Sequence, residues 1–174
     1  ESLMDLYPWS YWNDDGSPKE HTEALVAAIE KAIEIDPEFA KAYWQLAEFW
    51  TIQLSTANIV AGLTDMPRDE MRALYKQAID NAILFEKDAV EQTKYRAFKA
   101  SNELKFRQAV SLAEEYLEQR PLDQRAHFIQ ISNLANFAES DEIIEAVRRF
   151  DEIDGHDRLV INSSITRLTY AGDM

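Results

Sequence analysis

A chain of 174 residues, 46% hydrophobic and 29% charged, can bury a core of its own and is too apolar to be a disordered tail. Its 32 carboxylates against 18 Lys and Arg leave a formal charge of −14, which repels phosphate backbones and anionic lipid and argues against a nucleic-acid partner. With no cysteine there is no disulfide framework or thiolate zinc site, and four glycines and five prolines are too few for a turn-rich sandwich or barrel, so long helices with short connections are expected.

The chain opens on Glu1 with no basic stretch ahead of an apolar run, and the expectation is a piece of a longer protein. No apolar run approaches the ~20 residues needed to span a bilayer, so no membrane segment is expected within this chain. Tyr7, Pro8, Trp9, Tyr11 and Trp12 precede the Asp14-Asp15-Gly16-Ser17-Pro18 break. They predict a helix over 4–13 whose rings cap the first repeat. Over 22–35, Leu25, Ile29, Ala32 and Ile33 recur at three- and four-residue steps, the stripe of an amphipathic helix. Asp36-Pro37 ends that helix, because proline disfavours helical geometry at the residue before it yet suits the first turn of the next. A second helix over 38–54 then carries Phe39, Tyr43, Leu46, Ala47 and Trp50 on one face.

Residues 55–67 form an insertion of small, apolar and polar residues, either a ligand loop or, as the favoured reading, extra turns of the preceding helix. Pro67 is expected to open a helix over 68–86. Helices over 88–102 and 104–119 come next, then Arg120-Pro121 repeats the earlier punctuation before helices over 123–137, 140–153 and 157–170. Ala42 lies five residues after Pro37, as Ala126 does after Pro121. Thirty-four residues before Pro121 stands Lys87 and 34 after it Gly155, each at the close of a helical segment, while Pro37 and Lys87 are 50 apart, a unit enlarged by the insertion. Two helices per 34 residues is the tetratricopeptide spacing.

The run Leu25-Val26-Ala27-Ala28-Ile29-Glu30-Lys31-Ala32-Ile33-Glu34-Ile35-Asp36-Pro37, with Tyr43, Leu46, Ala47 and Trp50 after it, resembles the tetratricopeptide repeat family. Later units depart from it: the small residue before the stop, Ala32 and then Ala82, becomes Tyr116 and Phe150, and proline gives way to Lys87 and Gly155. The resemblance implies an all-α, right-handed α-solenoid of antiparallel helix pairs, about nine helices, in a single domain over 1–174. Its parts are an aromatic cap (1–18), the best-formed repeat (19–54), the insertion (55–67), degenerate repeats (68–155) and an unpaired last helix (156–174). The apolar stripe of that last helix, Leu159, Val160, Ile165 and Leu168, needs either a continuing chain or a second copy to cover it. The 7–13 stretch ahead of one good repeat is also similar, more weakly, to repeat arrays carried by bacterial regulators such as class III adenylate cyclase-like proteins, which implies context without any cyclase residue here.

The resemblance further implies a concave groove lined by the first helix of each unit, holding a peptide or a partner protein. That register selects Lys41, Trp44, Glu48 and Thr51, then Glu91, Lys94, Phe98 and Ser101, then Arg125, Phe128, Ser132 and Ala135. Large rigid rings among mixed charges suit a peptide groove; the competing reading is that these rings are ordinary interhelix packing. The Lys and Asn clamp with which some members grip a terminal carboxylate falls at Ser10, Asp14, Gln45, Glu91 and Tyr95, so that capture is not expected. A structural alternative is a dimerisation module that pairs two copies of the chain through its apolar ends.

Little in the sequence suggests catalysis. His21, His127 and His156 are far apart and fit no metal-ligand spacing. The acidic run from Asp151 to Asp157 fails as a calcium loop, since placing Gly155 sixth puts Phe150 first. Asn162-Ser163-Ser164 fits a glycosylation triplet but falls in a predicted helix. With no phosphate-cradling glycine loop or nucleophile elbow, the expectation is a non-enzymatic scaffold that uses no cofactor or metal.

Overall fold

The computed structural model describes residues 20–56 and 66–153, with side chains over 24–54 and 66–150 and at Glu152. Among the described residues there are seven helices and no strand: α1 (Glu20–Ile35), α2 (Ala40–Thr56), α3 (Arg68–Phe85), α4 (Ala89–Asn102), α5 (Phe106–Gln119), α6 (Gln124–Leu134) and α7 (Ser140–Ile153). The chain is therefore all-helical over these residues, each helix falling on a predicted segment. The segments expected over 4–13 and 157–170, with most of the insertion, lie outside the described residues.

The start of α2 differs from expectation, as do the start of α5 at Phe106 and the end of α6 at Leu134. Pro37 does not sit in the first turn of α2, which begins at Ala40. Asp36, Pro37, Glu38 and Phe39 instead form a closed turn in which the Phe39 amide donates to the Asp36 carbonyl at 3.0 Å and the Glu38 amide to Asp36 Oδ1 at 3.1 Å. Proline stands second in the turn, where its fixed φ is already correct. Arg120, Pro121, Leu122 and Asp123 repeat the device, with the Asp123 amide donating to the Arg120 carbonyl at 3.2 Å. The common punctuation is thus a proline turn and then a fresh helix start.

The chain divides into two compact units, Glu1–Lys87 and Asp88–Met174. In the first, α2 packs against both α1 and α3. Leu25 and Ile29 of α1 bury against Ala42, with Ala32, Ile33 and Leu46 at the margin. Met71, Tyr75, Ala78, Ile79 and Ala82 make the buried stripe of α3 at helical spacing. Tyr43 and Phe85 stand with ring centroids 5.7 Å apart, and the Tyr43 hydroxyl donates to the Pro37 carbonyl at 3.2 Å, tying the turn to its helix.

In the second unit α5 packs against both α4 and α6, α4 touches α6, and α7 closes on α6. Val110, Ile131, Leu134, Ile143, Ala146 and Phe150 form an apolar cluster in it. Ala97, Ala109 and Ala113 are wholly buried, which lets the backbones of α4 and α5 approach closely.

The α4 to α5 connection is a tight left-handed turn. The Lys105 amide reaches back to the Ala100 carbonyl at 2.9 Å and the Leu104 amide to the Ser101 carbonyl at 3.1 Å, the paired bonds that close a helix when the residue between adopts positive φ. That residue is Leu104, at φ 60. Glycine would take this conformation freely, whereas a leucine Cβ costs roughly 1–2 kcal/mol there.

Candidate functional site

Of the selected positions, Glu91, Lys94, Phe98 and Ser101 lie on α4 and Arg125, Phe128 and Ser132 on α6, and contacts join Glu91 to Lys94 and Arg125 to both Phe98 and Phe128. Asp123 opens α6, its Oδ1 accepting from the Ala126 amide at 2.9 Å, which fixes where its second oxygen points. Lys94, one turn into α4, donates to that Oδ2 at 2.9 Å and pairs with Glu91 Oε2 at 2.7 Å. Tyr116, near the end of α5, brings its hydroxyl to 2.7 Å from Asp123 Oδ2 and 2.8 Å from Glu91 Oε1, and Lys94 donates to the same hydroxyl at 3.2 Å. One phenol proton serves two carboxylates, so Lys94 supplies the charge that holds both in place. The Lys94 ammonium also sits 5.0 Å from the Tyr116 ring centroid.

Burial sets the electrostatics of this cluster. Tyr116 is 1% exposed, and burial, then its hydrogen bonds to Asp123 and Glu91, push its pKa far above the usual phenol value. For Lys94, burial alone would lower the pKa, but the hydrogen bond to Glu91 and the charge of Asp123 reverse this and hold it above the ordinary lysine value. For Asp123, burial alone would raise the pKa, and the adjacent Lys94 charge turns it below the ordinary carboxylate value. All three shifts favour one protonation state: neutral tyrosine, charged lysine, charged aspartate.

Beyond this cluster the Arg125 guanidinium lies 5.2 Å from the Phe98 ring centroid and 5.5 Å from that of Phe128, a cation between two rings. Further along again, Asn133 Nδ2 donates to Ser101 Oγ at 2.8 Å and to the Ile129 carbonyl at 2.7 Å. Contacts thus rise together in sequence, Lys94 with Asp123, Phe98 with Arg125, Ser101 with Asn133. So α4 and α6 run parallel, and α5, whose C-terminal Tyr116 meets the first turns of α4, runs antiparallel to α4.

The selected positions are not equally open. Phe98 is 5% exposed and is held mainly by packing; Phe128, Arg125 and Glu91 are half-buried and form the accessible part of the face. Lys41, Trp44 and Glu48 lie on α2, in the first unit. Trp44 is 3% exposed, an interior ring, with Lys41 exposed and Glu48 half-buried. The hydroxyls of Thr51 and Ser132 return to their own helices, to the Ala47 carbonyl at 2.9 Å and the Ile129 carbonyl at 3.2 Å.

Sequence reasoning missed Tyr116, Asp123 and Asn133 as parts of this arrangement. Asp123 had a readable signal, an acidic residue two positions after a proline at a helix start. Tyr116 was legible only as a departure from the repeat's small residue; the departure brings a hydroxyl to the polar cluster. Of the histidines, His127 is buried, its Nε2 donating to the Pro121 carbonyl at 2.9 Å and its ring 5.8 Å from that of Phe150; His21 and His156 lie outside the described side chains. Among the described residues no group of three or more His, Asp or Glu is placed to hold a metal ion, and no helix is long and apolar enough to cross a membrane.

No family model, no curated protein and no solved structure matches this chain.

Proposed function

We propose that the chain is a tetratricopeptide-type array, a right-handed solenoid of helix pairs acting as a non-catalytic scaffold that binds a peptide or partner protein on the face shared by its first helices. The observation that carries this reading is the parallel pairing of α4 and α6 with α5 antiparallel to α4. A 34-residue two-helix repeat requires that relation, which up-and-down bundles with short connections share, and the proline turn that recurs ahead of α2 and of α6 adds the repeat to it. Glu91, Lys94, Phe98, Arg125 and Phe128 then form the binding face of this unit. Arg125 and Phe128 are its accessible anchors, since Arg and large aromatics contribute most at binding hot spots. Lys41, Trp44 and Glu48 are proposed as the equivalent register on α2.

The test is a peptide array probed with the wild-type chain and with an Arg125→Ala, Phe128→Ala double variant whose helix content is first checked by circular dichroism. Peptides retained by the wild type should bind the variant about tenfold more weakly or worse, the effect of losing one hot spot. Equal retention by both proteins, or no saturable binding to the wild type, would rule this face out.

A further inference from the structure

Resting on the binding face proposed above, we infer that its partner is a peptide segment that presents an arginine side chain to the cluster of Glu91, Lys94, Tyr116 and Asp123. The cluster is short of positive charge. Glu91 and Asp123 bring two carboxylates, Lys94 brings one ammonium and Tyr116 is a neutral phenol, so one negative charge is left over. It is also short of a proton. Lys94 directs its donors to Glu91, to Asp123 and to the phenol oxygen, and the Ala126 amide serves Asp123 Oδ1. The single phenol proton then stands between Glu91 Oε1 at 2.8 Å and Asp123 Oδ2 at 2.7 Å. Whichever oxygen it serves, the other faces the phenol oxygen with no proton between them.

Burial decides which sign a ligand meets. The Lys94 side chain is 12% exposed and Tyr116 1%, whereas the side chains of Glu91 and Asp123 are 27% and 20% exposed. The cation is thus the more enclosed partner, and the carboxylates are the open part of the cluster. Arg125, the next cation along α6, is engaged by the rings of Phe98 and Phe128. A guanidinium suits this opening better than an ammonium. Its planar fork offers donors to two acceptors at once, here the two oxygens that share one phenol proton, and its weak hydration lowers the cost of entering a half-buried site. The charge of −14 on the chain draws in a cationic peptide and repels a second copy.

Four libraries of short acetylated peptides, random except for a central arginine, citrulline, lysine or glutamate, test this by their retention on immobilised protein. Citrulline keeps the shape of arginine and loses its charge, and acetylation removes the terminal ammonium. Glu91→Gln cancels the surplus charge and leaves Lys94 its bond to Asp123, so its helix content should match the wild type by circular dichroism. Glu142→Gln removes the same charge from the exposed first turn of α7 and controls for net charge. The wild type should retain the arginine library about tenfold better than the other three, Glu142→Gln should keep that preference and Glu91→Gln should lose it. Citrulline or lysine retained as well as arginine overturns the proposal, as does a preference that survives Glu91→Gln or vanishes with Glu142→Gln. Self-association in sedimentation that Glu91→Gln abolishes overturns it in favour of a second copy. Failure of the arginine and failure of the face read differently. Retention without arginine preference that Arg125→Ala with Phe128→Ala abolishes leaves the face standing, whereas retention untouched by that double variant, or none at all, removes the face as well.

Discussion

Tyr116 joins three charged partners from two other helix segments, because its hydroxyl meets Glu91, Lys94 and Asp123 at once. Tyr116→Phe keeps the ring and its packing and removes only that hydroxyl. Two half-buried carboxylates would then share Lys94 alone, and the cost should be about 2 kcal/mol, the range for hydrogen bonds to charged groups. Chemical denaturation followed by far-ultraviolet circular dichroism measures it; a loss well under about 0.5 kcal/mol, of the size expected for exposed surface pairs, would show the cluster to be solvent-screened. The same residue marks where legibility in the sequence ended. A tyrosine in place of a small residue reads as decay of the repeat, because spacing alone does not reveal which distant polar groups a buried hydroxyl will meet. Phe98 and Trp44 show the converse: their place on a helix was readable, but whether a ring at such a place faces a groove or the interior depends on neighbouring helices.

At the scale of the element, the helix positions were legible because apolar periodicity and proline punctuation agree along most of the described chain. The start of α2 was less so: Asp36 and Pro37 suit the first two positions of a closed turn, but proline equally suits the first turn of a helix, and the residue types do not choose between them. The left-handed turn at Leu104 was unreadable, lacking the glycine that would signal it. Helix starts offer a paired test. Asp88 and Asp123 each accept from an amide of the helix they open, Val90 at 2.9 Å and Ala126 at 2.9 Å. Beyond its own helix Asp88 meets Arg120, at 3.5 Å across an exposed pair, so Asp88→Ala should cost about 1 kcal/mol, the worth of a cap. Asp123→Ala removes a cap and also strips a buried partner from Lys94, and about 3–5 kcal/mol is expected. Equal losses in the two variants, measured by denaturant unfolding, would mean the interhelix half of Asp123 contributes nothing.

For the whole molecule, the Lys94, Tyr116 and Asp123 shifts predict how stability varies with pH. Asp123 is held below its unfolded value, so its contribution is complete above about pH 4 and is lost as pH falls through the folded value. Lys94 and Tyr116 are held above theirs, so their contributions are complete below about pH 10 and are lost as pH rises through the folded values. Between these limits the cluster's contribution should be flat. Comparing wild type with Asp123→Asn at a series of pH values checks this: the stability gap should be constant from about pH 5 to 9 and shrink in acid, as Asp123 itself becomes neutral. A gap that persists undiminished in strong acid would place the effect in packing instead of charge. The division of the chain at Lys87 has an optical consequence for such measurements. All four tryptophans, Trp9, Trp12, Trp44 and Trp50, precede that boundary in the sequence, whereas the charged cluster, the tested residues of the proposed binding face and α4 to α7 come after it. Every indole is therefore carried by the first half of the sequence, and single tryptophans placed at solvent-facing positions of α5 or α7 would give the second half a light of its own.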